Sequence, residues 1–334
     1  MTRVAVPAVS GPLARPRDTR RCVLRGSALG TTWSVVAQLP GDMGPGRLQD
    51  AVEATLAAVD AEMSGWRAES ELSRFNRAQA GSWHPLSAGH FAVVQAALDI
   101  AAATEGAFDP CLGAAADRWG FGPSGPVTCP PAACPPAACP PVAILPDWQR
   151  LRLRPADRAL LQPGGVCLDL SAIGKGHAVD RVCLALQRLG LASMLVEIGG
   201  EVRGEGVKPD GGPWWVALEV PPGLPGERAA DRRTVVALHG HAVATSGDYR
   251  RHFVHDGVRF GHVLDPRRGA PARTDLAAVS VIHRGCMAAD AHATALASLP
   301  SGEALALADR LGLAALLQLR DGRSEVSRAF AAML

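Results

Sequence analysis

Hydrophobic and polar positions alternate with a period of two through "GTTWSVVAQL" (30–39), which predicts a strand. The stretch that follows, "LQDAVEATLAAVDAEMS" (48–64), has the apolar spacing of an amphipathic helix. A second helix is read in "AGHFAVVQAALDIAAATEG" (88–106), closed by Gly106, with "AFDPCLGAAADRWGFGP" (107–123) as the loop after it. Further along, "GVCLDL" predicts a short strand and "SAIGKGHA" a small-residue turn. "VDRVCLALQRLG" predicts a helix with Val179, Val182, Cys183, Leu186 and Leu189 on one face.

The second half reads mainly as hairpins. "SMLVEI" and "EVRGEGV" flank Gly199 and Gly200, and "FVHDGVRFGHVL" turns at Asp256 and Gly257. "WWVALEV", "TVVALH" and "LAAVSVI" read as strands, and "GCMAADAHATALASLP" (285–300) as a helix. Hairpins mixed with helices predict an α+β fold with mainly antiparallel sheets flanked by helices. Residues 1–22 are expected to be a frayed N-terminus, with one domain over 23–334 interrupted by a Pro/Cys-rich insert at about 124–146.

Composition narrows the class. The chain has 334 residues, is 48% hydrophobic and carries a formal charge of +2, which suits a substantial core and gives no basic tract for nucleic acid. Every long apolar run is broken by charge before the roughly 20 residues that a membrane helix needs. The N-terminus contains no readable signal peptide, so the sequence by itself points to the cytoplasm. Cys129, Cys134 and Cys139 recur five residues apart among proline pairs, a spacing wider than zinc sites favour, and read as a low-complexity insert.

Candidate chemistry comes next. Asp290 and Thr294 lie four apart on the last predicted helix, so both oxygens share a face, as a hard cation such as Mg2+ requires. The alternative is an Asp paired locally and a Thr bonded back to its own helix. Gly174, Lys175 and Gly176 in "LDLSAIGKGHAVD" would let an anion approach the backbone beside a positive charge; an ordinary glycine turn is the other reading. Trp66 stands beside a polar turn, where it can be core or a stacking surface for a flat ring. His262 lies in a predicted strand, and Asp248 in the polar "ATSGDYRRHF".

In order, "ALGTTWSV", "SELSRFN", "FDPCLGAAADRWGFGP", "LDLSAIGKGHAVDRV", "LVEIGGEVRGEG", "ATSGDYRRHF", "GHVLDPRRG" and "CMAADAHATAL" resemble the ApbE family, the FAD:protein FMN transferases. The resemblance covers roughly residues 25 to 300 apart from the insert. It implies binding of FAD and Mg2+, cleavage of the FAD pyrophosphate, and transfer of FMN to a Thr or Ser hydroxyl of a target flavoprotein with release of AMP. Asp290, Thr294 and the backbone carbonyl of Ala172 match the family's metal ligands. Leu29, Trp66, Ala107, Phe108, Asp109, Lys175 and Leu264 match positions that contact FAD. His262 is the candidate base, with Asp248 competing for the role and Ser171 in support.

Four positions depart from the usual pattern: Leu29 stands for Met, Trp66 for Tyr, Cys111 for Thr and His177 for Tyr. The first two keep bulk for flavin stacking. The others are expected to alter hydrogen bonding near the nucleotide. The family's usual clients are exported or membrane-associated flavoproteins, which places a periplasmic or inner-membrane setting beside the cytoplasmic reading. Two alternatives share the site: a pyrophosphatase giving FMN and AMP with water as acceptor, and a non-catalytic FAD-binding protein. A redox flavoenzyme is disfavoured because no Gly-x-Gly-x-x-Gly turn follows a first strand.

Overall fold

The computed structural model describes residues 2–8, 15–131, 147–225 and 233–334. Its centre is an eight-stranded sheet of β1 (Thr19–Ala28), β2 (Thr31–Pro40), β3 (Met194–Ile198), β4 (Glu201–Glu205), β5 (His241–Gly247), β6 (Leu276–His283), β7 (Ala314–Leu319) and β8 (Ser324–Val326). Spatial order follows chain order, and each neighbouring pair is antiparallel. Helices enter as excursions between strands: α1 (Pro45–Met63), α2 (Glu71–Asn76), α3 (Ala88–Ala103), α4 (Gly113–Arg118) and α5 (Ser171–Arg188) between β2 and β3, then α6 (Cys286–Ala297) and α7 (Ser301–Leu311) between β6 and β7. The α+β expectation holds.

Both faces of the sheet are covered, which explains why β6 is apolar and buried through nearly all its length. Along β5 the pleat separates neighbours. Ala242 joins the core formed with α1 and α5, while Val243 joins the opposite core with Trp214, Leu238 and Phe330. That second face carries a small sheet in which Arg3–Ala5 runs parallel to Thr234–Leu238, itself antiparallel to Trp214–Ala217. The expected frayed N-terminus is therefore corrected: Ala5 is fully buried, and Thr19 to Cys22 already belong to β1. Of the insert, Cys129 is exposed, while Cys134 and Cys139 lie outside the described residues. No helix among the described residues is long and apolar enough to cross a membrane.

A second correction concerns "SAIGKGHA". It forms the first two turns of α5, because the helix begins at Ser171. Gly176 is required there by close packing: a Cβ would lie 2.3 Å from the Cys286 carbonyl oxygen and 2.8 Å from Met287 Cα. Glycine thus lets the start of α6 rest on α5.

Candidate functional site

A cavity of about 610 Å3, within the range of small-molecule sites, opens where β1, β2, α5, α6 and the β5 end of the sheet converge. Leu29, Trp66, Ala107, Phe108, Asp109, Ala172, Lys175, His262, Leu264, Asp290 and Thr294 all line it. Leu29 and Gly30 form the two-residue turn joining β1 to β2, with φ of 52° and 71°. A left-handed Leu costs about 1 kcal/mol, and it places an apolar side chain on the cavity wall. Trp66, in the link between α1 and α2, is 56% exposed, so it is a surface at the rim and not core.

At the foot of the cavity, Lys175 Nζ lies 2.5 Å from Glu201 Oε1 and 3.9 Å from Asp290 Oδ1. Both carboxylates are almost fully buried. Burial works against the Lys175 ammonium, but Asp290 and Glu201 outweigh it and hold the group up at about 12. Burial raises Glu201 and Asp290 in turn, with Lys175 opposing in each case. One ammonium cannot neutralise two ionised carboxylates, so burial raises both acids, and Glu201 Oε2 has no hydrogen-bond partner among the described residues.

These features fit a cation. Asp290 Oδ2 accepts the Gly176 N–H at 3.0 Å, while its Oδ1 has only the distant Lys175. Gly176 N–H is also the ordinary helical partner of the Ala172 carbonyl, so the donor shared with Asp290 gives less to that oxygen. Thr294, one turn beyond Asp290, exchanges a hydrogen bond of 2.9 Å with Ser246 and keeps lone-pair capacity. All three donors are hard oxygens, as Mg2+ prefers. No group of three or more His, Cys, Asp or Glu suited to a metal occurs among the described residues, so such an ion would take its remaining ligands from substrate or water.

His262 follows the strand Val258–Gly261, and its Nδ1 lies 3.2 Å from the Arg251 carbonyl. A carbonyl only accepts, so Nδ1 carries the proton and Nε2 keeps its lone pair. Burial, with the charges of Arg251 and Lys175 adding to it, lowers His262 to about 4. An aromatic series supports it: Trp119 stacks on Phe260, Phe260 on Phe253, Phe253 meets Phe121, and Phe121 meets the imidazole edge at 6.3 Å. Asp109 accepts the Cys111 N–H at 2.8 Å, and burial raises its carboxyl to about 6.

Asp248 is not brought to the cavity. Arg320 grips its carboxylate through two nitrogens at 2.7 and 3.3 Å, which leaves it an anchor between β5 and β7 and not a free base. Ser171 does line the cavity, but Cys111 and His177 do not, so those two departures from the family pattern fall behind its wall. Glu201 was missed in the sequence reading; it directly follows Gly199-Gly200, and "LVEIGGEVRGEG" was the available signal. Ser246, near the end of β5, was not singled out either, although it lies in the polar "ATSGDYRRHF".

Comparison with known proteins identifies the family. The family model described as "ApbE family" matches residues 29–317. The FAD:protein FMN transferase of Vibrio cholerae is 35% identical over 309 residues, spanning 90% of this chain and 89% of the relative. That of Haemophilus influenzae is 33% identical, spanning 98% and 95%. The crystal structure of the Pseudomonas stutzeri flavinyl transferase ApbE, apo form, superposes with a TM-score of 0.82 at 36% identity, covering 94% of this chain and 97% of that one. The chain belongs to the ApbE family.

Proposed function

We propose that this chain is an FAD:protein FMN transferase that binds FAD and Mg2+, moves FMN onto a Thr or Ser hydroxyl of a target flavoprotein, and releases AMP. The observation that carries the reading is the half-buried Lys175 between the buried Asp290 and Glu201 at the foot of a cavity walled by Leu29, Trp66, Phe108 and Leu264. The apolar and aromatic wall suits a flavin ring, and the charged foot suits a pyrophosphate.

In the transfer, the acceptor oxygen bonds to the FMN phosphorus while the bond from that phosphorus to the bridging oxygen breaks and its electrons leave with AMP. Lys175 holds phosphate oxygens by charge, beside the N-terminal end of the α5 dipole. Asp290, Thr294 and the Ala172 carbonyl would hold Mg2+, which supplies a Lewis acid to offset charge on the departing phosphate. His262 takes the hydroxyl proton at Nε2. Anionic substrate entering beside it raises its low pKa and strengthens it as a base.

The test is AMP released from FAD with Mg2+, measured with and without a Thr-containing acceptor protein. Acceptor-dependent AMP supports the transferase. Equal AMP in both arms supports the pyrophosphatase, and tight FAD binding without AMP supports a binding protein.

A further inference from the structure

The α6 helix starts without a cap of its own. Its N-cap is Gly285, which provides no side chain, and its first turn holds no acidic residue. The leading N–H groups of a helix need partners from outside it. Asp180 of α5 meets two of them: Oδ1 accepts from Cys286 N and Oδ2 from Met287 N, both at 2.9 Å. Arg203 of β4 closes the remaining side of the carboxylate at 2.6 Å and is itself held by Glu205 at 2.5 Å. The anionic cap also lies at the positive end of the α6 dipole.

The link is reciprocal. Gly176, one turn before Asp180, donates to Asp290 on α6, so α5 and α6 grip each other at two points along their contact. Between those points the missing Cβ of Gly176 lets the α6 backbone sit directly on α5. The depth and rotation of α6 decide where Asp290 and Thr294 stand against Ala172 and Lys175. Asp180 holds the first turn of α6 at a distance from the cavity, which it does not line.

We infer that Asp180 is a positioning residue for the cation site, acting through the α6 start; this rests on the metal reading proposed above. Partners that orient metal ligands typically matter by about 10- to 100-fold in metal affinity. Asp180→Asn keeps the size but loses the charge and turns an NH2 toward one of the two helix donors.

The experiment titrates Mn2+ into the full chain without FAD, following the free-ion EPR signal, beside thermal unfolding and a Mg2+ titration of AMP release. The expected result is Mn2+ binding weakened about tenfold or more, with the Mg2+ requirement raised and kcat largely recovered at saturating Mg2+. Metal-free FAD affinity is expected to stay within about twofold, because the cavity wall is untouched. Wild-type Mn2+ affinity in folded Asp180→Asn overturns the inference. So does a loss of activity that follows the folded fraction and is not recovered by Mg2+. If Asp180→Asn does not fold, Asp180→Glu keeps the charge and moves the oxygens by one methylene; about threefold weaker Mn2+ binding is expected, and unchanged binding overturns the inference. Absence of Mn2+ binding in the wild type both without FAD and with FAD present would instead remove the metal reading on which it rests.

Discussion

Lys175 sits between Glu201 and Asp290, and it is closer to Glu201, at 2.5 Å against 3.9 Å. Glu201 therefore holds the ammonium away from the carboxylate assigned to the cation. Removing its charge leaves Lys175 only Asp290 to pair with. Glu201→Gln is expected to raise the Mg2+ requirement for AMP release about tenfold or more, and Glu201→Gln with Lys175→Met is expected to recover Mn2+ affinity. Mn2+ titration of the single and double variants checks this. Additive losses would show that Glu201 serves only the fold.

Gly176 and Gly174 lie in the same helix and predict opposite results. A methyl at Gly176 meets the α6 backbone, so Gly176→Ala is expected to cost about 1–3 kcal/mol in stability. At Gly174 nothing lies within 4 Å, and Ala is expected to stabilise the helix by about 0.5–1 kcal/mol. Urea unfolding of the two variants measures both signs. Equal midpoints would contradict the packing account of α5 and α6.

Those glycines also show what the sequence could convey. The face shared by Asp290 and Thr294 was legible, because helical spacing alone puts them together. The start of α5 was not: two glycines in "SAIGKGHA" weaken the helical pattern, and the reason for Gly176 lies in α6, over a hundred residues later. The strand Thr19–Ala28 was hidden because it is a half-exposed edge with basic residues along it. Asp248 looked free until the fold supplied Arg320. Glu201 looked like the rim of a hairpin, although the hairpin itself was read correctly. Local periodicity was readable; long-range neutralisation was not.

The acid side of the rate profile separates two groups. His262, lowered to about 4 chiefly by burial, stays neutral through the range where a free histidine gains its proton, so it imposes no loss of kcat/KM near pH 6.5. Its own limb lies lower, as the pH falls toward 4. Asp109, raised to about 6 by burial, loses its charge as the pH falls through that value. A limb near pH 6 is therefore expected to vanish in Asp109→Asn. One that persists at 6.5 in that variant, and persists too when Glu201, whose carboxyl burial raises to about 7, is replaced by Gln, would contradict the environment assigned to His262.

Trp66 contributes surface to the cavity and little to the core, being 56% exposed. Trp66→Ala is expected to weaken FAD binding by up to about tenfold, the scale of an aromatic stacking contact, with the unfolding midpoint nearly unchanged. Trp66→Tyr is expected to retain most of the affinity. Equilibrium FAD binding followed by flavin fluorescence checks both variants. Full affinity in Trp66→Ala would place the flavin elsewhere.

The most direct measurement is the intact mass of a Thr-containing acceptor flavoprotein after incubation with this chain, FAD and Mg2+, beside Asp290→Ala and an acceptor whose Thr is replaced by Ala. The predicted result is an FMN-sized mass gain, with one AMP released per acceptor modified, absent from both controls. AMP release with an unmodified acceptor, or a mass gain that persists in Asp290→Ala, would contradict the account.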